Sequence, residues 1–310
     1  MNILFLGTSD FACPSLEALL NSSHTVMEVV TQPDRPKGRG QKLTPPPVKS
    51  LALTRHLPVF QPEKLREPSA VNHLKSLIPE LIVVVAYGQI LSSAVLSIPR
   101  RGCVNVHGSI LPKYRGAAPI ARAIMNGEKK TGVTTMVMDA GMDTGPILIT
   151  TETEILPDDN LGSLHDRLAQ MGAPLLMKTL EELEKGTISP QPQDPAQATY
   201  APKISKDEGR INWESTAEAL SNLIRAFDPW PGAYTTWKGK TLKLFRPSTI
   251  KGPSPEPPGT FSGAVHQGFK IATGNGYLLI RELQMENRPR MPADQFLRGN
   301  PLEAGQRLGG

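Results

Sequence analysis

Cysteine is scarce in this chain: two among 310 residues, Cys13 and Cys103, each in apolar surroundings. That excludes a disulfide framework, and a zinc site would need further Cys or His beside them. Two buried, reduced thiols are the expectation. Long apolar runs are missing too. The longest, residues 81–87, is too short to cross a bilayer. The opening MNILFLGTSD lacks the basic flank and extended apolar core of a secretory signal. A soluble, cytoplasmic protein without membrane contact is expected. Gly7 stands alone, with no G-x-G-x-x-G around it, so dinucleotide binding is poorly supported. No convincing set of metal ligands and no internal repeat is visible, and no metal is expected.

Charge of one sign is only mildly in excess. Lys and Arg number 34 against 29 Asp and Glu, a net charge of +5. Such a balance suits a polyanionic partner without requiring one. With 39% hydrophobic and 20% charged residues, the composition is that of a folded globular protein. A length of 310 residues allows two domains.

Apolar periodicity sets the organisation. Residues 2–7 form a short apolar run ending at Gly7, a buried strand entering a turn. Further strands are expected at 25–31, 81–86, 102–107, 132–139 and 146–153. Helices are expected at 14–20, 48–55, 69–77, 119–125 and 161–185. The run LIVVVA at 81–86 is apolar on both faces, as in the middle of a parallel sheet. Alternating strands and helices indicate an α/β domain with a Rossmann-like, mainly parallel sheet. Residues 187–206 lose apolar periodicity and gain Pro and Gln, which reads as a linker. A helix at 215–226 and short strands at 232–237, 241–246, 259–266, 268–273 and 276–283 follow. They suggest a small β-barrel or sandwich, with an OB-like β-barrel as the expectation. The expected division is a domain at 1–188, a linker at 189–206 and a second domain at 207–310. Trp230 and Trp237 are expected in the core rather than as stacking platforms.

Ligands of open α/β sheets bind beyond the carboxyl ends of the strands. There lie Asn105 and His107, two residues apart on a strand and so on one face. An amide N–H can hold a developing oxyanion, and an imidazole can exchange a proton near neutral pH. An isolated N-x-H is also compatible with an amide and ring satisfied within a turn. Asp143 follows a later strand on a Gly-flanked loop that also carries Asp139, and a carboxylate there can orient His107. By itself such a loop is an ordinary turn.

Taken together the motifs are specific. NVHGSILP at 105–112, RGAAP at 115–119 and MDTG at 142–145 resemble the signature of the folate-dependent formyltransferases. FLGTSDFA at 5–12, TQPDRPKGRG at 31–40, VVAYG at 84–88 and RAFDPWP at 225–231 are similar to the branch of that family that acts on initiator methionyl-tRNA in translation initiation. The resemblance runs from about residue 2 to residue 300. Ser9 departs from it, standing where Pro is expected.

The resemblance implies a catalytic trio of Asn105, His107 and Asp143, with 10-formyltetrahydrofolate as formyl donor and an amine as acceptor. Asn105 and protonated His107 would stabilise the oxyanion, and Asp143 would position His107 and help move the proton. It also implies that Ser109, Ile110, Leu111 and Pro112, with Val85, Tyr87, Gly88 and Asp139, line the folate pocket.

The basic segment at 34–49 has Arg35, Lys37, Arg39, Lys42 and Lys49 against one acid, Asp34. Such a run is usually a solvated loop, and composition makes it mobile. The resemblance implies contact with the tRNA acceptor stem. Lys238, Lys240 and Lys243, with Arg246, suggest a second basic track or simply a soluble barrel face. A monomer is expected. Rival readings are a glycinamide ribonucleotide transformylase, a sugar-nucleotide formyltransferase, and a nucleotide-binding regulator with a nucleic-acid-binding β domain.

Overall fold

The computed structural model describes residues 1–38, 40–265 and 268–309. Contacts group the chain into two units that do not follow chain order. The first comprises Met1–Pro119, Thr131–Thr153 and His165–Ala201; the second comprises Ile120–Lys130, Glu154–Leu164 and Pro202–Gly310. Among the described residues, no helix is long and apolar enough to cross a membrane.

In the first part of the chain come strands β1 (Asn2–Gly7), β2 (Thr25–Val30), β3 (Arg35–Lys37), β4 (Lys42–Thr44), β5 (Val59–Phe60), β6 (Leu81–Val85) and β7 (Cys103–His107). A two-residue strand β8 (Arg115–Gly116), then β9 (Lys130–Val137), β10 (Ile147–Glu154) and β11 (Tyr200–Ala201) follow. The main sheet has the order β10-β9-β7-β6-β1-β2-β5. Strands β1, β2, β5, β6 and β7 pair in parallel, whereas β9 runs antiparallel to β7. This is the Rossmann-like sheet expected from the alternating pattern.

Every residue of β6 is buried, which explains its unbroken Leu, Ile and Val run between β1 and β7. Helices α1 (Cys13–Leu20), α2 (Pro47–Thr54), α3 (Pro68–Ser76) and α4 (Ser93–Leu96) connect the parallel strands. Pro lies in the first turn of α1, α2 and α3, where its missing N–H costs no helical bond. After α5 (Pro119–Met125) the longest helix is α6 (Leu161–Lys185). Its Leu168, Leu176 and Leu180 recur at multiples of four and are fully buried. Each stabilises the unit by about 1.5–3 kcal/mol of apolar burial. Gly172 stands in the same row, where a Cβ would meet Val106 at 3.1 Å. Glycine therefore lets α6 lie close to β7. The hydroxyls of Thr135 and Thr179 add a buried 2.8 Å hydrogen bond between strand and helix.

Two local features depart from the sequence reading. The basic segment is a short hairpin, with Arg35 paired to Thr44 and Lys37 to Lys42. Its base is tied down by Asp34, which accepts from Lys49 and from Gln61, each at 2.8 Å. The proline- and glutamine-rich stretch at 187–206 is also engaged. Gln191 bridges Ile147, and β11 pairs with β8.

In the second unit, α7 (Ala217–Ala226) precedes β12 (Tyr234–Trp237), β13 (Lys240–Ile250), β14 (Phe261–Val265), β15 (Gly268–Ala272), β16 (Tyr277–Met285) and β17 (Met291–Pro292), then α8 (Ala293–Gly299). The sheet order is β12-β13-β16-β15-β14, with β17 on β16, and its neighbouring strands run antiparallel. It forms a half-barrel. His266, expected at the end of β14, lies outside the described residues. Thr216 caps α7 by accepting from the Ala219 N–H at 3.1 Å.

Trp237 is buried edge-on to Phe296 at 5.4 Å. Trp230, expected in the core, is 55% exposed. It sits in the turn at 228–231, and the core beside it is filled by Phe227 and Ala233. That turn is anchored by its neighbours. Asp228 is buried and accepts from Asn160 at 3.0 Å and Arg290 at 2.8 Å. Arg225 donates to the carbonyls of Leu156 and Asp159, each at 3.1 Å. The RAFDPWP run therefore binds residues 154–164 into this unit.

Candidate active site

The carboxyl ends of three neighbouring parallel strands come level. Gly7 of β1 is in register with Val85 of β6, and Val84 with Asn105 of β7. Asn105 and His107 project from the same face of β7, 9% and 6% exposed. The Asn105 carboxamide has no hydrogen-bond partner among the described residues. A nearly buried amide left unengaged by protein is available to a ligand.

His107 is held differently. Its Nε2 lies 2.9 Å from the carbonyl oxygen of Tyr114. A carbonyl only accepts, so this nitrogen carries the proton. Nδ1 then faces Asp143, 3.7 Å from Oδ2. The carboxylate is itself fixed by the Gly116 N–H, which donates to Oδ2 at 2.8 Å.

The loop that carries Asp143 starts far from His107. Strand β9 ends beside the beginning of β7, where Met138 N–H donates to the Cys103 carbonyl at 2.8 Å. Residues 139–145 bring the chain back. Asp139 shapes this return by accepting from Gly141 N–H at 3.0 Å and the Thr144 hydroxyl at 2.7 Å. Asp143 adopts φ +54°, a left-handed conformation. At Gly145 a side chain would collide with the Val137 carbonyl, so only glycine fits.

Sequence reasoning missed the residues that hold this loop. Gln193 donates to the carbonyls of Asp143 at 2.9 Å and Gly145 at 2.7 Å. Its own oxygen accepts from buried Arg115 at 3.0 and 2.7 Å. Thr199 accepts from the Tyr114 N–H at 2.9 Å. Arg115 stood within a recognised motif, but Gln193 and Thr199 had no local signal beyond a glutamine-rich stretch.

The expected folate segment follows β7 directly. Ser109 is buried and donates to the Lys113 carbonyl at 2.6 Å. Thr134 donates to the Ser109 carbonyl at 2.7 Å and accepts from Leu111 N–H at 3.3 Å. Ile110 and Pro112 are half-buried. Tyr87 is buried, and its carbonyl accepts from Thr8 at 2.7 Å. Burial pushes the Tyr87 phenol well above its ordinary pKa, so it stays protonated. Val85 is buried, Gly88 is exposed with φ +90°, and Asp139 is exposed. Among the described residues, no group of three or more His, Cys, Asp or Glu could hold a metal ion.

The basic residues are dispersed. Arg35 pairs with Glu63 at 3.0 Å, and Lys42 is exposed. Lys37 lies in β3, and Arg39 lies outside the described residues. Lys238 is in the turn between β12 and β13, over the Trp237 ring at 4.5 Å. Lys240 is exposed, whereas Lys243 donates to the Pro231 carbonyl at 2.6 Å. Arg246 has φ +49° and pairs with Glu282. A single cationic face built by strand alternation does not form, because Lys238 is in a turn and Arg246 interrupts the regular alternation. A groove of about 930 Å³ in the second unit is lined by Arg225, Arg246, Lys251, Arg281 and Arg290, with Glu282 among them.

A mainly parallel open sheet with amide, imidazole and carboxylate gathered at its carboxyl edge, in a chain that also carries a half-barrel unit, is the arrangement of an α/β enzyme. Residues 1–180 match the formyl transferase family, and residues 203–301 match the formyl transferase C-terminal domain. A methionyl-tRNA formyltransferase of Trichlorobacter lovleyi is 51% identical over 306 residues, covering 99% of this chain and 96% of its own. One of Geobacter metallireducens is 50% identical, covering 100% of this chain and 99% of its own. In fold, the chain is similar to HypX from Aquifex aeolicus, solved in complex with tetrahydrofolic acid. The TM-score is 0.63 at 19% identity, and the likeness covers 99% of this chain but 50% of that one. The chain belongs to the methionyl-tRNA formyltransferase family.

Proposed function

We propose that this enzyme transfers the formyl group of 10-formyltetrahydrofolate to the α-amino group of methionine on initiator methionyl-tRNA, giving N-formylmethionyl-tRNA for translation initiation. The observation that carries this reading is the unengaged Asn105 carboxamide beside His107, whose Nδ1 faces Asp143 at 3.7 Å. The neutral amine attacks the formyl carbon, and the carbonyl π electrons move to oxygen. Asn105 and protonated His107 stabilise that oxyanion. Collapse restores the carbonyl and breaks the bond to N10 of the folate. The proton lost by the amine reaches N10, with Asp143 assisting through His107 or water. No covalent enzyme intermediate is needed. Tetrahydrofolate lies against residues 109–112, Val85, Tyr87, Gly88 and Asp139.

The tRNA contacts Arg35, Lys37 and Lys42 of the hairpin, together with Arg39 of the same basic segment, and the half-barrel bearing Lys238, Lys240 and Lys243. Lys243 contributes less, since its ammonium already serves Pro231. The enzyme acts in the cytoplasm as a monomer, without membrane contact. By function the chain divides into a catalytic domain at 1–188, a linker at 189–206 and a second domain at 207–310, although Ile120–Lys130 and Glu154–Leu164 group with the second unit and the linker groups with the first as far as Ala201.

Labelled 10-formyltetrahydrofolate would be offered with charged initiator methionyl-tRNA, free methionine and glycinamide ribonucleotide as parallel acceptors. Label on the tRNA alone is expected. Transfer to a small acceptor in preference to the tRNA would overturn the acceptor assignment.

A further inference from the structure

The stretch at 191–201 touches both sides of the site. On the His107 side, Thr199 accepts from the Tyr114 N–H and its carbonyl accepts from Arg115 N–H, each at 2.9 Å. Tyr114 is the residue whose carbonyl fixes the imidazole, and it has φ +61°. On the Asp143 side, Gln193 spans the carbonyls of Asp143 and Gly145, while its oxygen is gripped by Arg115. Between the two, Ala201 pairs with Gly116, whose N–H holds the Asp143 carboxylate. A Cβ at Gly116 would lie 2.9 Å from the Ala201 carbonyl, so the strand seats directly on that donor.

We propose that Gln193 is a positioning residue for formyl transfer: it locks the left-handed turn at Asp143 and, through Arg115, ties that turn to the segment that orients His107. This rests on the reading of His107 and Asp143 as catalytic. A left-handed turn at a non-glycine residue is disfavoured unless its surroundings fix it. The two carbonyls that Gln193 takes up belong to the left-handed residue itself and to Gly145 two positions on, so the amide holds the chain as it leaves the turn. Without its amide donor the loop is free to relax, and Asp143 loses its place 3.7 Å from Nδ1. Both ends of the Gln193 amide are taken up by protein groups, so it should act on turnover and not on tRNA affinity.

The isosteric Gln193→Glu keeps a partner for Arg115 but replaces the amide donor with an oxygen facing two carbonyls. Gln193→Ala removes both functions. Each is expected to lower kcat by about tenfold to a hundredfold, the scale of a small misplacement of a reacting group. KM for tRNA should stay within about twofold, because its binding surface is untouched, whereas KM for folate can move with the loop that also carries Asp139. If the alanine variant does not fold, the isosteric one carries the same comparison.

A double-mutant cycle with Asp143→Asn separates the two ideas. That change preserves both carbonyls that Gln193 holds. If Gln193 works through Asp143, the double variant is no slower than Asp143→Asn alone, within about threefold. An unchanged kcat in Gln193→Glu, a raised KM at constant kcat, or a double variant slower by the product of the single effects would each overturn the positioning role. Wild-type turnover in Asp143→Asn would instead remove the catalytic reading beneath it.

Discussion

His107 and Tyr114 are joined by a 2.9 Å hydrogen bond from Nε2 to a main-chain carbonyl, which fixes one ring nitrogen and turns the other toward Asp143. His107→Ala is expected to fold and to lose about 10²–10⁴ in kcat, the range of a positioned proton carrier. His107→Gln can still donate to Tyr114 but cannot titrate, so it should be equally slow. Substantial turnover in the glutamine variant would show that the ring serves only as a donor.

Asn105 offers its amide to the reaction and to no protein group among the described residues. Asn105→Ala should therefore leave the melting temperature unchanged and lower kcat by about 10²–10³, as loss of an oxyanion donor does. Steady-state kinetics beside a thermal melt decide it. A large fall in stability would mean the amide is structural.

Lys42 has no ion-pair partner among the described residues, whereas Arg35 is paired with Glu63 at 3.0 Å. Lys42→Ala should raise KM for tRNA and leave KM for folate unchanged. Its salt slope should flatten by about 0.7–0.9 for one lost phosphate contact. Glu63→Gln releases Arg35 and should lower KM for tRNA. Arg39→Ala is expected to behave as Lys42→Ala. Equal effects on both substrates would make the hairpin structural.

In the second unit, the Arg122 hydrogen bond, with the Ser205 N–H, holds the Glu208 carboxyl below its ordinary 4.5. A depressed carboxylate pKa contributes stability that is present above the unfolded value and lost as pH falls through the folded one. The melting temperature of Glu208→Gln should thus differ from wild type at pH 7 and converge with it once pH has fallen through the lowered pKa of the carboxyl. A constant difference across that window would sink the ion pair as its cause.

Asp228 is buried, between Asn160 and Arg290. Asp228→Ala removes one of the two carboxylates on Arg290, which keeps Glu282 at 2.6 Å, and takes the acceptor from Asn160; it should cost about 1–3 kcal/mol, the range of a buried polar group losing its partner. Denaturant unfolding measures this. A cost below about 0.5 kcal/mol, typical of an exposed pair, would show that the pair contributes little.

By itself the sequence determined what depends on short range. The LIVVV run could only be a strand covered on both faces, and it is β6, fully buried. Residues 2–7 became β1, and the four-residue spacing of leucines became the inner face of α6. Two-residue periodicity alone places Asn105 and His107 on one side of β7.

Only the tertiary structure decided the rest. Asp143 meets His107 because the 139–145 loop doubles back from the far end of β7, a path no local pattern encodes. The same is true of Gln193, whose value lies in two carbonyls nearly fifty residues upstream. The hairpin at 35–44 and the anchoring of 187–201 escaped the sequence for one reason. Their bonds are main-chain pairings and polar contacts between distant segments, and these leave no apolar period to read. Trp230 differed because it stands in a turn whose core-facing positions are taken by Phe227 and Ala233, an outcome set by the tertiary path and not by local composition. Side-chain periodicity records how a segment meets the average interior; it carries no address for a particular partner.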